Sequence, residues 1–190
     1  VLFRSVDGDV TDEISLYPAG YGAMYQGVIG GVININTRNP APEKGFHGLI
    51  DANFLHAGVL MEGSVSDQHH ILLSTRASYY DVVVGSIIEE LQEREQTGTD
   101  IIQLPRYRDY TGRYQIDLDR GATLKFLLDG SSDQVEFLFE ETAASVILDP
   151  IVAGNHRFRV AFNRQGIVYD NANSRTGQFT AGVGRIETVI

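Results

Sequence analysis

The residues best equipped for chemistry occur as adjacent pairs or short acidic runs, and their spacing argues against joint action. Glu89–Glu90 and Glu140–Glu141 are the paired carboxylates a glycosidase uses. Adjacent residues, however, rarely aim at one substrate with the separation of about 5–9.5 Å that glycoside chemistry needs. Exposure is the default for Glu, so both pairs read as solvated loop charge. His69 and His70 are metal-ligand types, yet successive side chains of a strand point to opposite faces. The pair therefore does not chelate one ion and reads as turn chemistry. Asp7-Gly8-Asp9-Val10-Thr11-Asp12 opens like a calcium loop, but Asp12 stands where the sharp turn needs glycine and Pro18 where a bidentate Glu belongs. A solvated acidic turn is the expectation there. The chain has no cysteine, which removes thiolate nucleophiles, Cys-based metal sites and disulfides. A Gly-rich phosphate loop, a nucleophile elbow and a zinc motif are all missing from the sequence. The expectation is a protein that is not an enzyme, with no catalytic, cofactor-binding or metal-site residues and no cofactor.

Composition narrows the partners. The chain has 190 residues, 43% of them hydrophobic, and a formal net charge of −10. Tight binding to phosphate backbones draws on clustered Lys and Arg, so nucleic acid is set aside. Residues 16–37 contain no Asp, Glu, Lys or Arg, but they hold Pro18 and the glycines at 20, 22, 27, 30 and 31, a poor composition for a membrane-spanning helix. The first residues, Val1-Leu2-Phe3-Arg4-Ser5, show no signal-peptide pattern, so an export signal is expected outside this sequence.

Those residues must be positioned by strands. Residues 13–17 and 31–37 read as two short strands around a Pro18–Gly22 turn, and the stretch 39–45, with Pro40 and Pro42, as a stiff linker. From Gly45 onward, apolar and polar residues alternate at period two. In residues 109–119, Tyr110, Gly112, Tyr114, Ile116 and Leu118 fall on one face and Asp109, Thr111, Arg113, Gln115 and Asp117 on the other. Residues 46–54, 57–65, 70–80, 122–128, the stretch around Phe158, Val160 and Phe162, and 178–183 repeat the scheme, making about seven strands. Links alternate between tight turns at 67–69 and 119–121 and long excursions at 81–108 and 130–155. The first of these, with Ser86 and Glu89 as a capping box, predicts a short loop helix carrying Val84, Ile87, Ile88 and Leu91 on one face.

Period two alone does not say whether the oily face meets lipid or a second sheet. Near-membrane strand length, alternating loop lengths and mid-strand charges such as Arg76, Arg113 and Asp117 favour a barrel with a wet lumen. Tyr79, Tyr80, Tyr107, Tyr110 and Tyr169 near strand ends fit aromatic girdles.

Residues 13–38 then add a more specific signal. Glu13-Ile14, the turn from Pro18 to Gly20, Tyr25 with Gly27, Gly30-Gly31-Val32-Ile33-Asn34-Ile35 and Thr37-Arg38 resemble the closing segment of the plug in TonB-dependent outer-membrane receptors. Tyr17 stands where that family commonly has Arg, and Gln26 separates Tyr25 from its glycine. The resemblance covers about 26 residues, followed by a linker and alternating strands in the family's order. It implies an all-β chain: the C-terminal part of a plug (residues 1–39), a linker (40–45) and the N-terminal strands of an incomplete transmembrane antiparallel β-barrel (46–190). It further implies a bacterial outer-membrane location and energy-coupled uptake of a scarce nutrient such as a ferric siderophore. The implied partners are the TonB energy-coupling complex, contacted through a segment absent here, outer-membrane lipid, and a small nutrient at the extracellular loops 81–108 and 130–155. Gly30–Gly31 would permit close backbone approach, and Asn34 and Asn36 would hydrogen-bond across a wet interface. The rivals are a soluble β-sandwich binding carbohydrate or protein, and an outer-membrane enzyme using Glu140 or Glu141.

Overall fold

A computed structural model describes residues 7–20, 22, 25, 30–41, 44–79, 100–139, 153–171 and 179–189. The described residues are all-β, with every named strand antiparallel to its neighbours and no α-helix among them. A two-stranded sheet pairs β1 (Thr11–Tyr17) with β2 (Val32–Thr37). A seven-stranded sheet runs as a meander through β3 (Gly45–Ala52), β4 (His56–Ser66), β5 (His69–Ser78), β6 (Asp100–Asp117), β7 (Ala122–Phe139), β8 (Gly154–Asn171) and β9 (Phe179–Val189). β3 and β9 stand at opposite ends of the strand order, so the sheet is open among the described residues.

Local chemistry explains the turns. The Asn53 side-chain oxygen accepts from the backbone N–H groups of Leu55 and His56 at 2.9 and 3.2 Å, closing the β3–β4 hairpin. Between β6 and β7 the chain reverses through Asp119–Gly121, where Arg120 has φ 65 and ψ 23, a left-handed conformation unusual outside glycine. Pro105 cannot donate to a ladder, and the β6–β7 register shifts between Gln103 and Arg106. At Gly63 a Cβ would lie 2.1 Å from the Gly45 carbonyl oxygen, so the first hairpin of the large sheet closes only around a glycine.

Three long strands correct the loop lengths expected from sequence. β6, β7 and β8 have 18 residues each, about 60 Å of extended chain. Parts of the excursions expected at 81–108 and 130–155 are therefore hairpin extension: residues 100–108, 130–139 and 154–155 are strand, pairing Asp100 with Phe139 and Phe139 with Gly154, while 81–99 and 140–152 lie outside the described residues. The capped helix around Ser86, the Glu89–Glu90 and Glu140–Glu141 pairs, and Tyr80 lie outside the described residues.

The sheet's two faces differ sharply. Phe46, Ile50, Val59, Met61, Leu73, Tyr110, Phe126, Leu128, Ile167 and Val183 share one face by register and are exposed. Neighbours in β5 show the contrast: Leu72, turned inward, is 0% exposed and Leu73, turned outward, 43%. On the outer face the Tyr110 ring lies over its directly paired partner Gly130, where a Cβ would come within 2.3 Å of the ring. The β1–β2 hairpin and the segment before it lie against the inner face. Between them the buried apolar cluster is Val10, Leu60 and Leu72.

The oily face does not continue to the far end of the long strands. Pairing of Asp133 with Val160 and Ser131 with Phe162 places Phe158, Val160 and Phe162 on the inner face, and Arg157, Arg159 and Asn163 on the outer. Alternation alone fixes that these sets oppose one another, but only register fixes which side each faces.

Candidate functional site

The inner face of the large sheet, where the hairpin meets it, gathers most of the buried charge among the described residues. Arg38 follows β2 directly, and its backbone N–H donates to the Val10 carbonyl at 2.9 Å, which aims its side chain at β4. There the guanidinium donates twice to the Glu62 carboxylate, at 2.6 and 2.8 Å, and its Nε donates to the Asp9 carbonyl. The Ala41 N–H donates to the same carboxylate at 3.1 Å, so Glu62 gathers both ends of the segment leaving β2. The hydrogen bond to Glu62 is the largest influence on Arg38 and raises its affinity for the proton further. A bidentate, charge-assisted pair of this kind fixes orientation as well as adding energy.

Two further ties act from β5 and β6. Arg113 donates from Nε and Nη2 to the Thr37 hydroxyl at 3.1 and 2.7 Å, and from Nη2 to Asp129 at 2.7 Å. Ser74 donates to Asp7 at 2.7 Å, and Arg76, bonded twice to Asp109, lies 3.9 Å from the other Asp7 oxygen. Asp7 is buried and also accepts from the Asp9 N–H, which corrects the expectation of a solvated acidic turn at that one residue, while Asp9 and Asp12 are exposed. Sequence spacing gave no sign of this, because its partners lie 67 and 69 residues away.

The histidines behave as strand geometry requires. His70 turns inward, between the Ser64 hydroxyl at 2.7 Å and Asp117 at 3.0 Å, while His69 turns outward to the Tyr114 hydroxyl at 2.8 Å. Ser64, His70 and Asp117 have the residue types of a nucleophile relay, but the Ser64 hydroxyl faces the Ala41 carbonyl at 3.5 Å and both Ser64 and His70 are buried. They fasten the β4–β5 turn to the end of β6. Tyr107, expected in an aromatic girdle, is instead buried on the inner face, bonded to His56 at 2.7 Å with Arg76 over its ring at 5.4 Å. Tyr79 donates to the Asn53 carbonyl. No group of three His, Asp or Glu side chains among the described residues is placed to hold a metal.

The glycine and asparagine expectations for β2 change in detail. Gly30 has φ 104 and open space around it, so it serves conformation, whereas a Cβ on Gly31 would stand 3.2 Å from the Tyr17 carbonyl. Thr37 faces Arg113, and period two puts Ile33 and Ile35 on that same face. Asn34 and Asn36 fall on the other face and bond to each other at 3.3 Å.

Two clefts separate hairpin from sheet. One of about 250 Å³ is bordered by Asp9, Arg38, His47, Leu60 and Glu62. The other, about 530 Å³, lies between β2 and the inner face of β6, β7 and β8. No helix of the described residues is long and apolar enough to cross a membrane, which leaves spanning by strands untouched. Among known proteins, no family model, no curated protein and no solved structure matches this chain.

Proposed function

We propose that the chain is part of a TonB-dependent type outer-membrane transporter, with residues 7–39 as the closing part of its plug and β3 to β9 as consecutive strands of its barrel wall. The observation that carries this reading is the pairing of opposite chemistries on one sheet. The outer face presents Phe46, Ile50, Val59, Met61, Leu73, Phe126 and Ile167, while the hairpin is tied to the inner face through Arg38–Glu62, Arg113–Thr37 and Ser74–Asp7. A soluble sandwich buries its more apolar face against the second sheet, and here the second sheet covers the face that carries the buried charges, with a small apolar cluster of Val10, Leu60 and Leu72 among them. An exposed apolar surface of this extent marks contact with lipid or a partner.

The strand lengths agree with that setting. A tilted transmembrane strand needs about 9–11 residues, and β4, at 11 residues, has that length. Open edges at β3 and β9 invite further strand pairing, as expected of wall segments awaiting neighbours. The transported solute would be a scarce nutrient such as a ferric siderophore, on the strength of the plug resemblance alone.

Refolding in plain buffer and in neutral detergent provides the test. The transporter reading predicts aggregation without detergent, and a β-rich circular dichroism spectrum with monodisperse particles in its presence. A soluble, monomeric, folded product in plain buffer contradicts the reading and favours a sandwich.

A further inference from the structure

The larger cleft carries an electrostatic feature that the ties between the sheets do not use. Its floor includes Lys125, Leu127 and Arg164, with Ile33 and Ile35 of β2 across from them. Register places Lys125 opposite Val168 and Arg164 opposite Asp129, with Leu127 and Gly166 paired between them. The floor therefore runs from a cation beside Val168, through an apolar step lacking one side chain, to a second cation across from Asp129, the carboxylate that Arg113 holds.

Other cations of this face are spoken for: Arg38 holds Glu62, Arg76 holds Asp109, and Arg113 holds Asp129. Lys125 and Arg164 have neither an ion pair nor a hydrogen bond among the described residues, although the whole chain carries a net charge of −10. Lys125 is only half-exposed. Lys at such a position normally finds an opposite charge.

We propose that this cleft binds an amphipathic organic dianion, a flat apolar core with a carboxylate at each end, whose charges meet Lys125 and Arg164 while its core lies on Leu127 beneath Ile33 and Ile35. The proposal deepens the transport reading by naming a solute class, and rests on that reading for its place between plug and wall. Binding itself depends only on the cleft.

Equilibrium dialysis of the full chain against radiolabelled terephthalate tests the site, in detergent micelles or in buffer, whichever medium keeps the protein monodisperse. The neutral analogue terephthalamide reports partition into micelles. Terephthalate should bind saturably, K125Q and R164Q should each weaken it at least about threefold, and the double variant at least about tenfold. The charge-retaining K125R/R164K variant should bind at least about threefold more tightly than K125Q/R164Q, which separates loss of charge from loss of fold. Circular dichroism checks each variant. The proposal is overturned by undetectable terephthalate binding, by equal binding of terephthalamide, or by equal affinity in K125Q/R164Q. Failure of the transport reading shows separately, as folding in plain buffer.

Discussion

Individual side chains decide how the hairpin is held. Arg38 and Glu62 are 30% and 13% exposed in their side chains, so their pair is only partly screened by water. Replacing Glu62 by Gln leaves the guanidinium without its counter-charge and should cost about 1–3 kcal/mol. Hydrogen–deuterium exchange localises that cost: amides of β2 should exchange faster in E62Q while those of β5 and β6 keep their protection. Uniform loss across both sheets would mean that Glu62 supports β4 rather than the hairpin. The Lys44–Asp67 pair offers a contrast. Lys44 holds the Asp67 carboxyl below the usual carboxylate range, but both groups are fully solvated and K44A should leave the unfolding midpoint unchanged. Arg120, in the left-handed region between β6 and β7, supplies a stabilising change. R120G should raise stability by about 1 kcal/mol, read as a higher denaturant midpoint at unchanged slope. A lower midpoint would show that the Arg120 side chain contributes more than its backbone strain removes.

At the scale of strands, period-two patterning made much of the fold legible. Expected strands at 13–17, 31–37, 46–54, 57–65 and 70–80 coincide closely with β1 to β5. The far halves of β6 and β7 were not legible, for a physical reason, whereas the stretch of β8 around Phe158, Val160 and Phe162 was. Beyond Gly130 the outer face changes from Phe126 and Leu128 to Ser132, Gln134, Arg157 and Arg159, while the inner face gains Phe158 and Val160. A sequence read with one oily face in mind meets an inverted pattern there and takes residues 130–139 for loop, while local alternation around Phe158 still marks a strand. The ties at the inner face were likewise hidden. Arg113 and Thr37 are 76 residues apart, and only the meander's register brings them together. Inversion of polarity also predicts where a bilayer would end. Because the chain lacks cysteine, single-cysteine labelling is unambiguous. In liposomes, S132C and R159C should react with a water-soluble maleimide and F126C should not. Equal labelling at all three positions would contradict a lipid boundary near Gly130.

The whole molecule comes down to which medium meets the face carrying Phe126 and Ile167. Sheet, hairpin and ionic ties are compatible with one another because Arg38, Glu62, Arg76, Asp109, Arg113 and Asp129 are turned inward and paired there, while Phe46, Ile50, Val59, Met61, Leu73, Phe126 and Ile167 face outward. In water that arrangement is unfavourable by about 25 cal/mol for each Å² of apolar surface left exposed, and in hydrocarbon the cost disappears. Adjacent residues of β7 offer the most direct discrimination, since Phe126 and Leu127 share a height along the strand and differ only in the face they occupy. The chain contains no tryptophan, so F126W and L127W each introduce a lone indole. With the protein refolded into liposomes of bromine-labelled lipid, F126W should be strongly quenched and L127W little. Equal quenching of the two, stronger quenching for L127W, or failure of the folded chain to enter the bilayer would contradict lipid contact at the Phe126 face.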